Sequence, residues 1–101
     1  MKIVINKSYG GFSYSKKAAE FMAARGNKEA IAELERSKDN WYGHSFERND
    51  PDLVAAVEAL GKEADGDFAK LVVVEIPDGI YWDVGGYDGM EWVAERHQTW
   101  G

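Results

Sequence analysis

Residues 2–17 read KIVINKSYGGFSYSKK, an order that predicts a short strand, a bend and then a helix. The run Ile3–Ile5 consists of β-branched residues that favour strands. Gly10 and Gly11 can adopt backbone conformations that are closed to other residues, so they suit a sharp bend. Ser15 is a strong helix N-cap, and a helix is therefore expected to begin directly after it.

The same segment predicts an anion-binding corner. A helix that begins after Ser15 would present unpaired N–H groups and the positive end of its dipole, and Lys16 and Lys17 would add positive charge. A simpler interpretation is that the glycines only turn the chain and that Ser15 only caps the helix. A nucleotide-hydrolase P-loop is excluded because that motif requires Gly immediately before its Lys, and this chain has Ser15 there.

The remaining elements alternate between helices and strands. Asn27 can cap a second helix near residues 28–37, and Asp50 followed by Pro51 is the clearest helix start in the chain, with an apolar face that runs on towards Gly66. The fold class expected is α+β, with an antiparallel sheet of about four strands packed against two to three helices in a single domain, residues 1–101. The predicted strands span residues 2–6, 68–76, 80–84 and 90–95. The first predicted helix spans residues 16–25.

Two features of the predicted strands bear on the sheet. Residues 68–76 form a nearly continuous apolar run, as expected of a central strand covered on both faces. In the last strand, Met90, Trp92 and Ala94 share one face and Glu91, Val93 and Glu95 the other. We expect the two glutamates to lie on a solvent-exposed face.

Composition narrows the class of protein. The chain has 101 residues, is 45% hydrophobic and has no Cys, which excludes disulfide scaffolds, thiolate zinc sites and Cys nucleophiles and suits a reducing cytosol. Four Trp among the aromatic residues are more large rings than so small a core needs, so some rings are expected in a ligand pocket or an interface between copies. No apolar stretch has the length of a signal h-region or a membrane span.

The net charge of −6 is unevenly distributed along the chain. Residues 1–48 carry +3 and residues 49–101 carry −9. A duplex-DNA binder needs a broad basic face, so this class is excluded, whereas a small anion could bind near the first half. The acidic half could be an ordinary solvated surface, or it could dock on a basic surface of another protein.

Catalytic residues are sparse. His44 and His97 lack the regular spacing of metal ligands, and no nucleophile stands in a pattern with a general base. The sequence therefore predicts a protein that is not an enzyme and that needs neither a cofactor nor a metal.

Binding is better supported, because aromatic rings and guanidinium groups lie close together at two points. Rings can stack on a nucleobase while Arg contacts phosphate. In the alternative interpretation the rings fill the core and Arg96 pairs with acidic strands. The predicted ligand-binding residues are Tyr9, Gly10, Gly11, Phe12, Ser15, Lys16, Trp41, Arg48, Arg96 and Trp100.

Several motifs resemble those of a family of small bacteriophage proteins that includes the Thoeris anti-defence sponges. The resemblance covers most of the chain except about residues 20–47. Its motifs are Lys2-Ile-Val-Ile-Asn6, Tyr9-Gly-Gly-Phe12, Ser15, Asp50-Pro-Asp-Leu-Val54, Ala69-Lys-Leu71, Val74-Glu-Ile-Pro-Asp-Gly79 and Tyr87-Asp-Gly-Met-Glu-Trp-Val-Ala-Glu95.

The resemblance implies a function. The sponges bind the cyclic ADP-ribose isomer made by a host defence enzyme and withhold it without degrading it, and family members form dimers or higher oligomers, some of which also hold cyclic oligonucleotides. The protein would then act in the cytoplasm of the infected bacterial host. The family's C-terminal segment often reads His-Arg-Thr-Trp, whereas this chain has Gln98 in place of that Arg. If that Arg contacts phosphate, Arg96 would have to substitute for it.

Three hypotheses follow. The protein sequesters a cyclic nucleotide immune signal as a homo-oligomer, without membrane or duplex nucleic acid as partner. Alternatively, its acidic half docks on a host defence protein and inhibits it. A third class, an enzyme that cleaves such a nucleotide, has less support because no catalytic group is assembled in the sequence.

Overall fold

The computed structural model describes residues 1–37, 41, 43, 46–79, 81–87 and 89–96, which form the predicted α+β domain. Three α-helices and four strands follow one another, with a short 3-10 turn after the third helix. The elements are β1 (Lys2–Asn6), α1 (Lys16–Ala24), α2 (Lys28–Arg36), α3 (Pro51–Leu60), the 3-10 turn (Gly61–Ala64), β2 (Leu71–Glu75), β3 (Tyr81–Tyr87) and β4 (Met90–Arg96).

The predicted helix starts are confirmed by their caps. The Ser15 hydroxyl accepts from the Ala18 N–H at 3.1 Å, and the Asn27 side chain accepts from the Ala30 N–H at 3.0 Å. Asp50 accepts from the Asp52 N–H at 2.8 Å. These side chains satisfy N–H groups that have no acceptor within their helix.

The third helix is shorter than predicted. It ends at Leu60, because Gly61 adopts a positive φ of 58° that ordinary residues avoid. The 3-10 turn then carries the chain to Ala64.

The strands form two sheets instead of the single sheet of about four strands that we predicted. β1 pairs antiparallel with β2, and β3 pairs antiparallel with β4. The hairpin instead packs Val84 and Val93 against the Ile3 and Ile5 face of the first sheet, so β3 does not extend that sheet at its edge.

The β1–β2 sheet lies between the helices and the β3–β4 hairpin. Val4 packs in the core cluster that includes the helices, whereas Ile3 and Ile5 pack in a second cluster with the hairpin. Alternate residues of a strand point to opposite faces, so both faces of this small sheet are covered, as the apolar run indicated. β2 is shorter than the strand predicted for residues 68–76. It begins at Leu71, and Phe68 lies outside it with 76% of its surface exposed.

The orientation of the hairpin reverses one prediction. Val84 and Val93 are cross-strand partners that pack inward, and Glu91, on the same face as Val93, is also turned inward with only 12% of its side chain exposed. The opposite face is exposed at Tyr87 and Trp92. The expectation that Glu91 lies on a solvent-exposed face is therefore wrong. The Arg48 guanidinium neutralises its charge and the Asn6 N–H donates to it, so the carboxylate can be buried.

Candidate functional site

A cavity of about 470 Å³ lies at the start of α1. It brings together four of the ten predicted binding residues, Gly10, Ser15, Lys16 and Trp41, and a third segment of the chain, residues 65–68, completes its lining. Segments distant in sequence that converge on one concave surface are typical of small-molecule sites. The other lining residues are Ser13, Tyr14, Gly43, Asp65, Gly66, Asp67 and Phe68.

The wall of the cavity is built around Tyr14. This residue forms antiparallel bridges to Gly43 on one side and to Asp65 on the other. The Tyr14 N–H donates to the Gly43 carbonyl at 2.9 Å, and the Gly66 N–H donates to the Ser13 carbonyl at 3.0 Å. Three stretches of backbone are thereby held side by side.

Two glycines make this close approach possible. A Cβ at Gly66 would lie 1.9 Å from the Ser13 hydroxyl oxygen, and a Cβ at Gly43 would lie 2.5 Å from the Tyr14 ring. Neither separation is sterically allowed, so only glycine fits at these positions. The wall is consequently a packed and rigid surface.

The ring of Tyr14 anchors this wall to the helices. It is fully buried, its hydroxyl is hydrogen bonded to the Glu33 carboxylate on α2, and it meets the rings of Phe12, Trp41 and Phe46 edge to face. Aromatic pairs favour this geometry. Trp41 is fixed in addition by a 2.9 Å hydrogen bond from its indole N–H to the Tyr14 carbonyl.

The start of α1 supplies the positive side of the cavity. The Ser15 hydroxyl caps the helix and also donates to the Glu63 carbonyl, which fixes the position of the first turn. Lys17 forms an ion pair with Glu63 at 3.3 Å, whereas Lys16 forms no ion pair within the described part of the chain. Because Ser15 already satisfies the Ala18 N–H, the groups left to meet an anion are the Lys16 ammonium and the backbone N–H groups of Lys16 and Lys17.

The cavity is also lined by carboxylates, which the sequence did not lead us to predict. One oxygen of Asp65 accepts from the Leu71 N–H at 2.9 Å. Asp67 is exposed and forms no hydrogen bond or ion pair with any described residue. One cation and two carboxylates line the cavity, so it is amphoteric and not basic.

The bend at Gly10 and Gly11, the glycine corner, is closely packed against other parts of the chain and does not form an open anion site. A Cβ at Gly10 would lie 2.1 Å from the Phe68 carbonyl oxygen, and a Cβ at Gly89 would lie 2.4 Å from the Gly11 nitrogen. The corner thus fills the space between the loop before β2 and the β3–β4 turn. Gly10 lines the cavity, whereas Tyr9, Gly11 and Phe12 do not, and Tyr9 is 66% exposed.

Arg48 lies outside the cavity in a second cluster. Its guanidinium forms a two-pronged ion pair with Glu91, one contact being 2.8 Å, and stacks 3.6 Å from the centre of the Phe12 ring. The Asn6 N–H donates to the same Glu91 carboxylate at 2.8 Å. A phosphate at Arg48 would have to displace Glu91, so this Arg holds the hairpin in the free protein.

Of the two predicted binding residues near the C-terminus, Arg96 and Trp100, only Arg96 lies within the described residues. Arg96 ends β4 opposite Tyr81. Trp100 and Gln98 lie outside the described residues, as do His44 and His97.

The described residues bear on two other classes of site. They contain no group of three or more His, Cys, Asp or Glu residues that could hold a metal ion. No helix within the same residues has the length and apolar character needed to cross a membrane.

Asp65 and Asp67 flank a glycine in the short loop between the 3-10 turn and β2. Such a loop usually indicates only a turn, and their place in the cavity depends on the bridge between Tyr14 and Asp65, which no local pattern predicts.

This chain matches no known family model, no curated protein and no solved structure.

Proposed function

We propose that this protein binds a small nucleotide in the cavity and sequesters it without cleaving it. The observation that carries the proposal is the convergence of Gly10, Ser15, Lys16 and Trp41 on one cavity. Its volume of about 470 Å³ falls within the range of typical small-molecule sites. A ligand of this kind would be held by the rigid wall around Tyr14.

The chemistry of the lining suits a phosphate with an attached ring. The first turn of α1 and the Lys16 ammonium can meet a phosphate. Trp41, which is half-buried and fixed through its indole N–H, offers a preorganised ring for a nucleobase. Because Trp41 and the start of α1 are held in place before binding, the Lys16 side chain is the main group that the ligand has to order.

The absence of cleavage is part of the proposal. The Ser15 hydroxyl is engaged by the Ala18 N–H and the Glu63 carbonyl, and neither group can act as a general base. Activation of a Ser nucleophile requires a base within hydrogen-bond reach. The cavity is therefore suited to capture.

The resemblance to the phage family supplies the biological setting of the proposal. The ligand would be a host immune signal, either a cyclic ADP-ribose isomer or a cyclic oligonucleotide, captured by a homo-oligomer in the cytoplasm of the infected bacterial cell. Capture below the signalling concentration requires a dissociation constant near nanomolar, or about −12 kcal/mol. Such an affinity needs a nearly enclosed site at an interface between subunits, because the exposed Asp67 and Phe68 leave the cavity of a single copy open.

Calorimetry with cyclic ADP-ribose isomers and cyclic di- and trinucleotides tests the proposal. Lys16→Gln should weaken the affinity at least tenfold, which is about 1.4 kcal/mol. Lys28→Gln is the matched control, because Lys28 is the first residue of α2 as Lys16 is of α1, and it lies outside the cavity. Absence of heat with every ligand, or equal losses in both variants, would remove the proposal.

A second measurement separates capture from catalysis. The loaded protein is denatured and the released ligand is examined by mass spectrometry. An unaltered ligand supports sequestration, whereas a hydrolysed one would show that the protein is an enzyme.

A docking protein is the second candidate, and the outer face of the β3–β4 hairpin favours it. Tyr87 and Trp92 are 70% and 47% exposed there, within the half of the chain that carries −9. Exposed aromatic groups on an acidic segment suit a basic protein surface. Retention of a host defence protein from lysate at low salt and its release at high salt would support this function.

A further inference from the structure

The cavity is lined by groups of both charges. Lys16 and the first turn of α1 are positive, and Asp65 and Asp67 are negative. A ligand that carried only phosphates would be repelled at the carboxylates. The ligand that fits must therefore offer both an anion and N–H donors.

The bridge between Tyr14 and Asp65 places Lys16 and Asp67 on either side of the paired residues. In this antiparallel pairing Lys16 lies two residues beyond Tyr14, and Asp67 lies two residues beyond Asp65 in the opposite direction. Of the two carboxylates, Asp67 is therefore the one farther along the chain from the start of α1.

We propose that the cavity selects a guanine base and that Asp67 is the residue that recognises it, an inference that rests on the proposed function. The two oxygens of one carboxylate can accept two parallel hydrogen bonds, and guanine presents N1–H and its 2-amino group side by side. Both oxygens of Asp67 are free of other described residues, whereas Asp65 already uses one oxygen to bind the Leu71 N–H.

Adenine fails at this carboxylate. Its N1 lone pair lies beside its 6-amino group, so one oxygen of Asp67 would gain a hydrogen bond while the other would face a lone pair. A site built to accept two hydrogen bonds discriminates strongly against a ligand that cannot donate both. Among the ligands implied by the family resemblance, a guanine-containing cyclic oligonucleotide is thus favoured over a cyclic ADP-ribose isomer, whose base is adenine.

The test uses the full chain and three probes, the 3′,5′-cyclic monophosphates of guanosine, inosine and adenosine, in calorimetric titrations. The wild-type protein should bind the guanosine probe at least tenfold more tightly than the adenosine probe. The inosine probe, which lacks the 2-amino group, should fall between them. Each loss reports a hydrogen bond to the Asp67 carboxylate.

Two variants sharpen the test. Asp67→Asn presents one acceptor and one donor, so it should reverse the preference towards adenine instead of abolishing binding. Glu20→Gln is the matched control, because Glu20 is an exposed carboxylate on α1 outside the cavity, and it should leave the preference unchanged.

The outcomes separate this inference from the proposed function. Binding of a cyclic ADP-ribose isomer together with equal affinities for the guanosine and adenosine probes would overturn the guanine preference and leave sequestration standing. A guanine preference that survives Asp67→Asn would overturn the role of Asp67. No binding by any probe or by the larger cyclic nucleotides would overturn both.

Discussion

Asn6 shows how one side chain can join three parts of this molecule. It is fully buried at the end of β1, and its amide donates to the Gly89 carbonyl at 2.7 Å and to the Ser8 carbonyl at 2.8 Å. Its amide oxygen accepts from the Lys70 N–H at 2.8 Å. The hairpin turn, the glycine corner and the chain before β2 are thus all held by one residue.

We expect Asn6→Ala to lower the free energy of unfolding by about 3 kcal/mol, because several buried backbone groups would lose their partner. Urea unfolding followed by circular dichroism measures the change. Asn49→Ala is the control, because the Asn49 amide contacts only the Met1 sulfur at 4.0 Å within the described chain, and it should cost less than about 0.5 kcal/mol. Equal losses in the two variants would contradict the role assigned to Asn6.

Asp52 connects the three helices, and its contacts make the stability of the fold depend on pH. Its carboxylate accepts from the Asn27 amide at 2.7 Å and from the Arg25 guanidinium at 2.9 Å. The hydrogen bond from Asn27, followed by that from Arg25, lowers the pKa of Asp52 below its ordinary 3.8. A carboxylate with a lowered pKa in the folded state stabilises the fold above the unfolded pKa, and the contribution is lost as pH falls through the folded pKa.

Urea unfolding at pH 7 and pH 3 should therefore show a smaller acid-induced loss of stability in Asp52→Asn than in the wild type. The amide keeps the size of the side chain and removes its titration. A loss as large as that of the wild type would show that the Asp52 carboxylate does not contribute to the acid sensitivity.

At the scale of elements, the ion pair between Arg48 and Glu91 attaches the hairpin to the rest of the fold. The two side chains are 23% and 12% exposed, so removal of one partner leaves a poorly hydrated charge. We expect Glu91→Gln to cost about 2 kcal/mol of unfolding free energy. The Gln oxygen can still accept from the Asn6 N–H, so the loss reports mainly the charge on Arg48.

A double variant separates the charge from the packing. Arg48→Met combined with Glu91→Gln removes both charges and keeps an apolar side chain over Phe12. We expect this double variant to be more stable than Glu91→Gln alone, as measured in a double-mutant cycle by urea unfolding. A simple sum of the two single losses would show that the charges do not interact.

At the scale of the whole molecule, local signals predicted the helices and long-range contacts decided the sheets. Ser15 and Asp50 fix their helix starts through bonds to residues two or three positions away, so the sequence alone identified them. The choice of β1 over β3 as the partner of β2 depends on which apolar faces meet. Glu91 turned inward because Arg48, 43 positions earlier, neutralises it.

The candidate site divides in the same way. Gly10, Ser15 and Lys16 belong to the segment that first predicted an anion site, and they line the cavity. Asp67 enters only through the pairing of Tyr14 with Asp65, a contact between residues far apart in the chain. Residues whose role depends on such pairing carry no periodic or capping signal for sequence analysis to detect.

The two small sheets should also differ in their local stability. β1 and β2 are covered on both faces, whereas the hairpin is covered only on the face of Val84 and Val93. An isolated two-stranded hairpin is marginally stable in water, so undocking should open β3 and β4 before the helices unfold. In native-state hydrogen exchange, the amides of Ile3–Ile5 should exchange more slowly than those of the hairpin.

A pair of substitutions tests this order of opening. Val84→Ala removes apolar contacts that dock the hairpin, about 1 kcal/mol for a half-buried side chain, and should speed exchange of the hairpin amides about fivefold without changing those of α3. Tyr87→Thr removes an exposed ring from the outer face and keeps a strand-forming residue, so exchange should change little. If Val84→Ala accelerates exchange equally in the hairpin and in α3, the two units unfold together and the hairpin is not an independent opening unit.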